Sequence, residues 1–596
     1  MTKRCDQTWD LELIFPNGSA SVELQRFIEQ LQSSVDAFGV SVSSLNLQIH
    51  PEQLGAMVEQ MQDIGAKMEQ ASAFVSCLEA QNVKDERARI LLGKLAQLMA
   101  EQDSCQTIFD QKLLDLTDDQ FKRVLIDPTL KDVEFVLTER RVGAARKLPA
   151  VQEGLISELA VDGYHGWSEL YNTVVGRIQL EVVQDGQKKL VSYGQAANML
   201  ADSDGGIRQT IFTQLENAWS EQAELIAPVL NHLAGFRLNL YKKRGWLSIL
   251  EEPLALNRMQ AETLESMWSA VEYGKPKLVA YLERKAKLLG LEKLGWSDLE
   301  APLVKVDVKI AYDDAATFIV ERFAEFSPDM AELAQRAFDE RWIEAEDRPG
   351  KRPGGFCTHF PKQNESRIFM TYSGTPQGVA TLAHELGHAY HSYVVGKELP
   401  YLATGYAMNV AETASTFAEL LVSDAAIRQS VNPEERLALL EDKLQNGVGF
   451  LMNIHARFLF ETRFYEKRKA GQLTVEQLNA LMIAAQKEGY SQALTEYHPH
   501  FWASKLHFYL TDYPFYNFPY TFGYLFSIGL YARALEEGKG FADKYQALLR
   551  DTGQMTVEDL AQKHLNIDLT KPEFWQGAVK HLVCDVDEFL ALTECK

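Results

Sequence analysis

The feature that most constrains this chain is a His-Glu-x-x-His pattern inside a segment with helical periodicity. It reads His384-Glu385-Leu386-Gly387-His388. Residues four apart lie one above the other on a helix face, so both imidazoles can bind one metal ion. The Glu385 carboxylate can then reach a water on that metal and act as a general base. Such a match arises by chance in about one chain of this length in fifty, so it needs support from other residues.

The composition predicts a cytoplasmic globular protein with two or more lobes. Its 596 residues exceed what one compact core serves, and 46% hydrophobic with 24% charged residues is an ordinary soluble balance. A formal charge of −23 argues against a nucleic-acid or anionic-membrane partner. The N-terminus lacks the apolar run of a signal peptide, and no stretch is apolar enough to span a bilayer. Six scattered cysteines without a Cys-x-x-Cys pair indicate reduced thiols.

The residues before the motif predict a strand that leads directly into the metal-binding helix. Residues 349–355 have the composition of a flexible loop, and residues 366–372 alternate like a strand. Thr375 then supplies an N-cap and Pro376 the first helical position, so we expect a helix from Pro376 to near Gly396. An edge of the strand can align an extended peptide beside the metal through backbone hydrogen bonds.

A second helical pattern offers a third metal ligand. After a loop over residues 397–408, Glu412, Ser415 and Glu419 share one helix face. The loop is long enough to fold this helix back antiparallel and place Glu412 beside the two histidines, and a catalytic zinc ion takes three protein ligands. Two other interpretations remain open. Asn409 and Glu412 also fit a capping box that needs no metal, and Glu419 fits a solvated glutamate at least as well as a partner of the ligands.

Two further histidines lie near the motif in sequence. His391 follows His388 by one turn and is expected to be a hydrogen-bonding or core residue rather than a fourth ligand. His359 is expected to make a local hydrogen bond, because no helical spacing ties it to the metal pair.

With these residues in view, the chain resembles the thimet-oligopeptidase family of zinc metallopeptidases, specifically its oligoendopeptidase F-like branch. The family pattern is His-Glu-x-x-His on one helix and a glutamate ligand in Glu-x-x-Ser-x-x-x-Glu on the next. Residues 384–388 and 412–419 match these two parts, and residues 9–19 are similar to the family's N-terminal opening. The resemblance covers nearly the whole chain.

The resemblance implies a mainly α fold, with two helical lobes around a deep substrate channel and a small β-sheet next to the metal helix. It implies an N-terminal helical lobe over residues 1–190 and a zinc peptidase catalytic domain over residues 191–596. One Zn²⁺ per chain would be held by His384, His388 and Glu412.

The resemblance also implies a role for an aromatic segment far downstream. In this family a histidine followed by tyrosines binds the scissile carbonyl and stabilises the oxyanion. His507, Tyr516 and Tyr520 match that arrangement, with Tyr524 as a further candidate. The alternative interpretation for each tyrosine is a place in a buried aromatic helix.

The predicted function is hydrolysis of internal bonds in short unfolded peptides by a metal-activated water, with Glu385 as the base. A helical zinc carboxypeptidase, which trims single C-terminal residues, is the first alternative. A non-catalytic peptide-binding scaffold with a vestigial metal site is the second, and the intact Glu385 argues against it. The sequence leaves the cleavage preference and the oligomeric state open.

Overall fold

The computed structural model describes residues 4–45, 50–184, 187–304 and 309–594. Over these residues the chain is mainly α-helical, as the family resemblance implies, with five short strands. The helices are α1 (Val22–Ser43), α2 (Pro51–Gln81), α3 (Glu86–Asp115), α4 (Asp118–Val124), α5 (Glu134–Ala145), α6 (Ala150–Ala160), α7 (Gly166–Gly176), α8 (Tyr193–Asn198), α9 (Gly205–Arg244), α10 (Glu251–Leu256), α11 (Ala261–Leu288), α12 (Tyr312–Phe326), α13 (Pro328–Asp339), α14 (Pro376–Glu398), α15 (Met408–Gln429), α16 (Pro433–Val448), α17 (Ile454–Arg468), α18 (Val475–Gly489), α19 (Phe501–Ser504), α20 (Phe518–Glu537), α21 (Phe541–Asp551), α22 (Val557–Leu565) and α23 (Pro572–Leu592). The strands are β1 (Gln179–Gln184), β2 (Gln187–Ser192), β3 (Ile343–Glu344), β4 (Phe356–Phe360) and β5 (Glu365–Phe369). Among the described helices, none has the length and apolar character that a membrane crossing requires.

The chain packs as two compact units, each assembled from three separate stretches of sequence. Unit 1 comprises Met1–Ala150, Val308–Ala425 and Arg533–Asn566, and unit 2 comprises Val151–Asp307, Ala426–Ala532 and Ile567–Lys596. These units are defined by how the helices and strands pack. The predicted domains, which are the N-terminal lobe over residues 1–190 and the catalytic domain over residues 191–596, stay a prediction.

Unit 1 combines helices with a three-stranded sheet. Apolar residues recur every three or four positions on α1, and Leu24, Ile28 and Leu31 on that face are fully buried against the rest of the unit's core. The strand order in the sheet is β3-β5-β4, with β3 parallel and β4 antiparallel to β5. Helices α2 and α14 both pack on this sheet, which therefore supports the helix that carries the His-Glu-x-x-His motif.

The strand that precedes α14 differs from the sequence prediction in one respect. β5 exists where a strand was predicted, but it is the central strand of its sheet: β4 pairs with it along its whole length, and β3 pairs with Ile368 and Phe369. β4 is an edge strand among the described residues, so an extended peptide can pair along β4 rather than along the full length of β5. Sheet order depends on which strands meet in space, and the alternation within a single strand carries no such information.

Over its described residues, unit 2 is helical apart from one antiparallel strand pair. β1 and β2 pair from Gln179 opposite Ser192 to Gln184 opposite Gln187. The two residues between these strands lie outside the described residues. Helices α11 and α23 pack along each other, and α16 packs on α23. Lys285 of α11 is buried and forms an ion pair with Glu441 of α16, with 2.9 Å between Nζ and Oε1.

Helix α21 anchors the metal-motif helix within unit 1. The two helices pack together, and Nε2 of His391 on α14 lies 2.9 Å from Oγ1 of Thr552. The neighbouring Asp551 is buried and accepts hydrogen bonds from Arg550 (2.8 Å), Lys563 (2.6 Å) and His564 (2.8 Å). Burial by itself raises the pKa of Asp551, but the three donors outweigh this effect and hold the pKa well below its usual value.

We expect Asp551→Asn to destabilise the protein by about 2 kcal/mol at neutral pH, because a buried charge-assisted network loses its acceptor. A depressed pKa in the folded state contributes stability above the unfolded value of about 4, and this stability is lost as the pH falls. The difference in free energy of unfolding between wild type and variant should therefore shrink below that pH. Urea unfolding at several pH values measures it, and the exposed Asp543→Asn on the same helix is the control. A difference that does not depend on pH would contradict the assignment.

Candidate metal centre

Helix α14 forms where the sequence predicts it. Oγ1 of Thr375 accepts the N–H of Gly378 at 3.1 Å, and Pro376 occupies the first helical position. The spacing of four residues puts His384 and His388 on one face, with their ring centroids 4.9 Å apart. The local signals are sufficient to set both the start of this helix and the alignment of its two imidazoles.

Glu412 completes a group of three potential ligands. Its Oε2 lies 3.2 Å from Nε2 of His384 and 3.5 Å from Nε2 of His388. One potential ligand atom from each of the three residues lies within 4.8 Å of the others. Helix α15 begins at Met408, so Asn409 is already helical and does not cap the helix. Two imidazole nitrogens and one carboxylate oxygen are a donor set that suits a catalytic zinc ion, so these residues fit the predicted metal.

A glycine in the motif allows the two ligand-bearing helices to meet. A Cβ added to Gly387 would lie 2.5 Å from the carbonyl oxygen of Ala414 and 2.6 Å from Cα of Ser415. Helix α15 therefore passes directly over Gly387, and Ser415 at this contact is three residues after Glu412. The signal was present in the sequence, because a glycine inside a helix costs about 1 kcal/mol relative to alanine and usually has a packing reason.

The candidate ligands are held in place by further polar contacts. Oγ of Ser415 donates to Oε2 of Glu412 at 2.7 Å, and Oε2 of Glu419 lies 3.2 Å from Nδ1 of His384. Contacts of this kind orient metal ligands and fix the imidazole tautomer. The sequence favoured a solvated Glu419, but the structure places its carboxylate against His384, because α15 runs alongside α14.

The electrostatics of the three ligands follow from burial and from their mutual contacts. Burial by itself lowers the pKa of His384, but hydrogen bonds to Glu412 and Glu419 outweigh this effect and raise the pKa to about 10. Burial raises the pKa of Glu412, but the histidines and Ser415 lower it to about 2. Burial lowers the pKa of His388 to about 4. Glu412 is thus charged and His388 neutral at neutral pH, which are the protonation states that metal binding requires, and a metal would compete with the proton on His384.

The carboxylate of Glu385 stands apart from this network. The side chain is 7% exposed, and its Oε2 is buried without a hydrogen-bond partner among the described residues. Burial is the main cause that raises the pKa of Glu385, to about 7. Gly355 lies just before β4, and a Cβ added to it would lie 3.4 Å from Oε1 of Glu385. The glycine therefore leaves space beside this oxygen. A buried carboxylate oxygen without a partner calls for an explanation, and a water that the carboxylate deprotonates is one.

The two neighbouring histidines take the places that the sequence favoured. His391 is buried, bonds Thr552 and stacks on Tyr406 with ring centroids 3.9 Å apart. Nδ1 of His359 lies 3.4 Å from Oγ of Ser366 on the adjacent strand. Neither belongs to the group of ligands.

Unit 2 brings three of the predicted aromatic residues together. The His507 ring lies 5.4 Å from the Tyr516 ring and 6.1 Å from the Tyr520 ring, measured between centroids, and the two tyrosine rings are 5.8 Å apart. Tyr524 instead stacks on Phe450 at 4.3 Å and is buried. Burial is the largest of the causes that lower the pKa of His507 to about 4, so its imidazole is neutral and carries one N–H donor.

We expect Gly387→Ala to reduce metal binding by at least about tenfold, because the added methyl group must push α15 and Glu412 away from the histidines. Metal content after dialysis and the dissociation constant for Zn²⁺ measure the effect. The control is Gly378→Ala on the same helix, where the nearest atom to the added Cβ would be a Tyr372 ring carbon at 3.4 Å. Equal metal content in both variants would show that the close helix contact does not position Glu412.

Comparison with known proteins extends over almost the whole chain. The family profile described as Peptidase family M3 matches residues 198–581, and the profile described as Oligopeptidase F matches residues 112–179. Oligopeptidase PepF of Bacillus subtilis is 23% identical over 596 residues, which cover 98% of this chain and 87% of PepF. An oligoendopeptidase F homolog of Lactococcus lactis subsp. lactis is 24% identical over 573 residues, which cover 94% of each chain.

Among solved structures, oligoendopeptidase-F from Enterococcus faecium has the same fold. Its TM-score with this chain is 0.72 at 18% identity, over 96% of this chain and 99% of that chain. These matches confirm the resemblance to the oligoendopeptidase F-like branch. Since the M3 profile alone spans more than half of the residues, the chain belongs to peptidase family M3, a family of metallopeptidases.

Proposed function

We propose that this protein is a zinc-dependent oligoendopeptidase that hydrolyses internal bonds of short unfolded peptides. The observation that carries the proposal is the convergence of His384, His388 and Glu412 within 4.8 Å, with the buried carboxylate of Glu385 on the same helix. Membership of the M3 family makes the protein a peptidase. The relatives named oligopeptidase and oligoendopeptidase support the choice of short peptides as substrates.

The metal would be held by His384, His388 and Glu412. When bound, a zinc ion lowers the pKa of its water toward neutrality and polarises a carbonyl group. Ser415 and Glu419 keep Glu412 and His384 in the orientation that binding requires.

Glu385 is the proposed general base. Its carboxylate takes a proton from the attacking water and passes that proton to the leaving amine. A pKa raised by burial to about 7 suits both transfers, because the group gains and loses a proton readily at neutral pH. The absence of a hydrogen-bond partner for its Oε2 among the described residues leaves that oxygen available for the water.

The substrate backbone is proposed to lie along the free edge of β4. An extended peptide can add a strand to an exposed sheet edge, and its main-chain hydrogen bonds do not depend on side chains. β4 begins one residue after Gly355, whose missing side chain leaves space at Glu385. An extended substrate at this edge would bring its backbone toward the base.

His507, Tyr516 and Tyr520 are proposed to donate hydrogen bonds to the scissile carbonyl oxygen. Their rings lie together in unit 2, and the imidazole of His507 is neutral at working pH. An imidazole N–H and phenol hydroxyls are suitable donors to an oxygen that gains negative charge in the transition state.

We expect Glu385→Gln to lower kcat by at least about 10²-fold, because the amide cannot accept the proton of the water. Zinc content should stay at one per chain, since Glu385 is not among the ligands. Glu412→Ala is the matched comparison and should lose zinc on dialysis together with activity. A Glu385→Gln variant that turns over at a rate near wild type would contradict the mechanism, and full zinc retention by Glu412→Ala would remove that residue from the ligand set.

We expect an N- and C-blocked peptide to be cut at an internal bond. Mass spectrometry of the products tests this, with the Glu385→Gln variant as the control for contaminating peptidases. Stepwise loss of single residues from an unblocked C-terminus, with no cleavage of the blocked peptide, would instead identify a carboxypeptidase. Zinc-loaded protein that binds peptides without cutting any of them would identify a non-catalytic scaffold.

A further inference from the structure

Unit 2 contains a cavity of about 710 Å³ that the mechanism does not use. Aromatic rings line much of it, and two cationic side chains, Arg457 and Lys505, reach it. The formal charge of the chain is −23, so two cations that share a cavity call for an explanation.

The two cations lie over the same aromatic ring. Cζ of Arg457 is 5.3 Å from the centroid of the Phe501 ring, and Nζ of Lys505 is 4.9 Å from it. Their charges are therefore within about 10 Å of each other, roughly one Debye length. Burial lowers the pKa of Lys505 to about 8, and the charge of Arg457 contributes in the same direction. This arrangement has an electrostatic cost that a bound anion would remove.

Neither cation forms an ion pair with a carboxylate among the described residues. Nε and Nη1 of Arg457 donate to the side-chain oxygens of Asn453 (2.8 Å) and Asn517 (3.0 Å), which are neutral amides. In the part of the chain that the structure describes, Nη2 of Arg457 and Nζ of Lys505 donate no hydrogen bond. Partly buried cations in this state bind an anion with little competition from the protein.

The cavity also carries acidic side chains, but none of them neutralises the pair by contact. Glu441 forms a buried ion pair with Lys285. Burial and the neighbouring Glu441 raise the pKa of Asp442 to about 6. Glu300 is exposed; it raises the pKa of Lys505 but forms no ion pair with it among the described residues. Among the described residues, Arg457 and Lys505 thus stay without a carboxylate in direct contact beside Phe501.

We infer that Arg457 and Lys505 form a specificity site for a carboxylate group of the peptide substrate. The inference rests on the proposed function for the identity of the ligand as a peptide. A carboxylate has two oxygens, which can accept from Nη2 of Arg457 and from Nζ of Lys505. Arg457 donates to Asn517, the residue after Tyr516, and Lys505 precedes His507 by two residues, so the carboxylate site lies near the predicted oxyanion donors. The carboxylate is either the C-terminus of the peptide or an aspartate or glutamate side chain.

Matched quenched peptides test the inference. One pair differs only in a C-terminal carboxylate or amide, and the other differs only in glutamate or glutamine beside the cleaved bond. Wild type is expected to cleave the charged member of one pair with a kcat/KM about tenfold higher than its neutral partner. The pair that shows this ratio identifies the source of the carboxylate.

Lys505→Met removes the charge and keeps an apolar stem over Phe501. The charged-to-neutral ratio is expected to fall toward one in this variant, and Lys469→Met, an exposed lysine of the same unit, should keep the wild-type ratio. The inference is overturned if wild type cleaves both members of each pair with equal kcat/KM, or if Lys505→Met keeps the wild-type ratio. It is also overturned if peptides with an added lysine are cleaved with a higher kcat/KM, because the acidic side chains of the cavity would then determine binding. If Lys505→Met does not fold, added NaCl must reduce the wild-type ratio, because it screens the pair.

A binding measurement separates this inference from the proposed function. Dissociation constants of the same peptide pairs are measured with the Glu385→Gln variant, which needs no turnover. Tighter binding of a charged member, by about tenfold, supports the carboxylate site even if wild type cleaves no peptide. Equal affinities within both pairs contradict it even if wild type is an active peptidase.

Discussion

The close contact between α14 and α15 at Gly387 is the constraint on which the candidate metal centre depends. Two histidines on one helix supply only two ligands, and the third must come from a neighbouring backbone at short range. Because Gly387 has no side chain, the backbone at Ala414 and Ser415 can lie where a Cβ would otherwise be. Glu412, a few residues earlier on the same helix, then faces both histidines. A single methyl group at this position would separate the ligands.

Two carboxylates near this contact have opposite electrostatic environments. Glu412 accepts from Ser415 and faces two histidines, which hold its pKa at about 2 despite burial. Glu385 is buried with an oxygen that has no partner among the described residues, and its pKa rises to about 7. One group is thus suited to bind a cation permanently and the other to exchange a proton. Separation of pKa values by environment lets one candidate site offer both a proposed ligand and a proposed base from the same side-chain type.

Unit 2 shows the complementary situation, in which positive charge collects inside an acidic protein. Arg457 and Lys505 share the Phe501 ring and help to keep His507 neutral. A neutral imidazole can donate a hydrogen bond without carrying a charge of its own. The same two cations can thus bind an anion and keep a neighbouring donor in its useful protonation state.

The sequence by itself determined the features that depend on local chemistry. The cap at Thr375 set the start of α14, the spacing of four aligned His384 with His388, and the pattern from Glu412 to Glu419 identified the next helix, because capping and periodicity act over a few residues. Only the tertiary structure decided that β5 is central, that Glu419 contacts His384, and that Arg457 meets Lys505 over one ring. Such contacts join residues whose approach is set by packing of whole elements, and a local pattern carries no information about which elements meet.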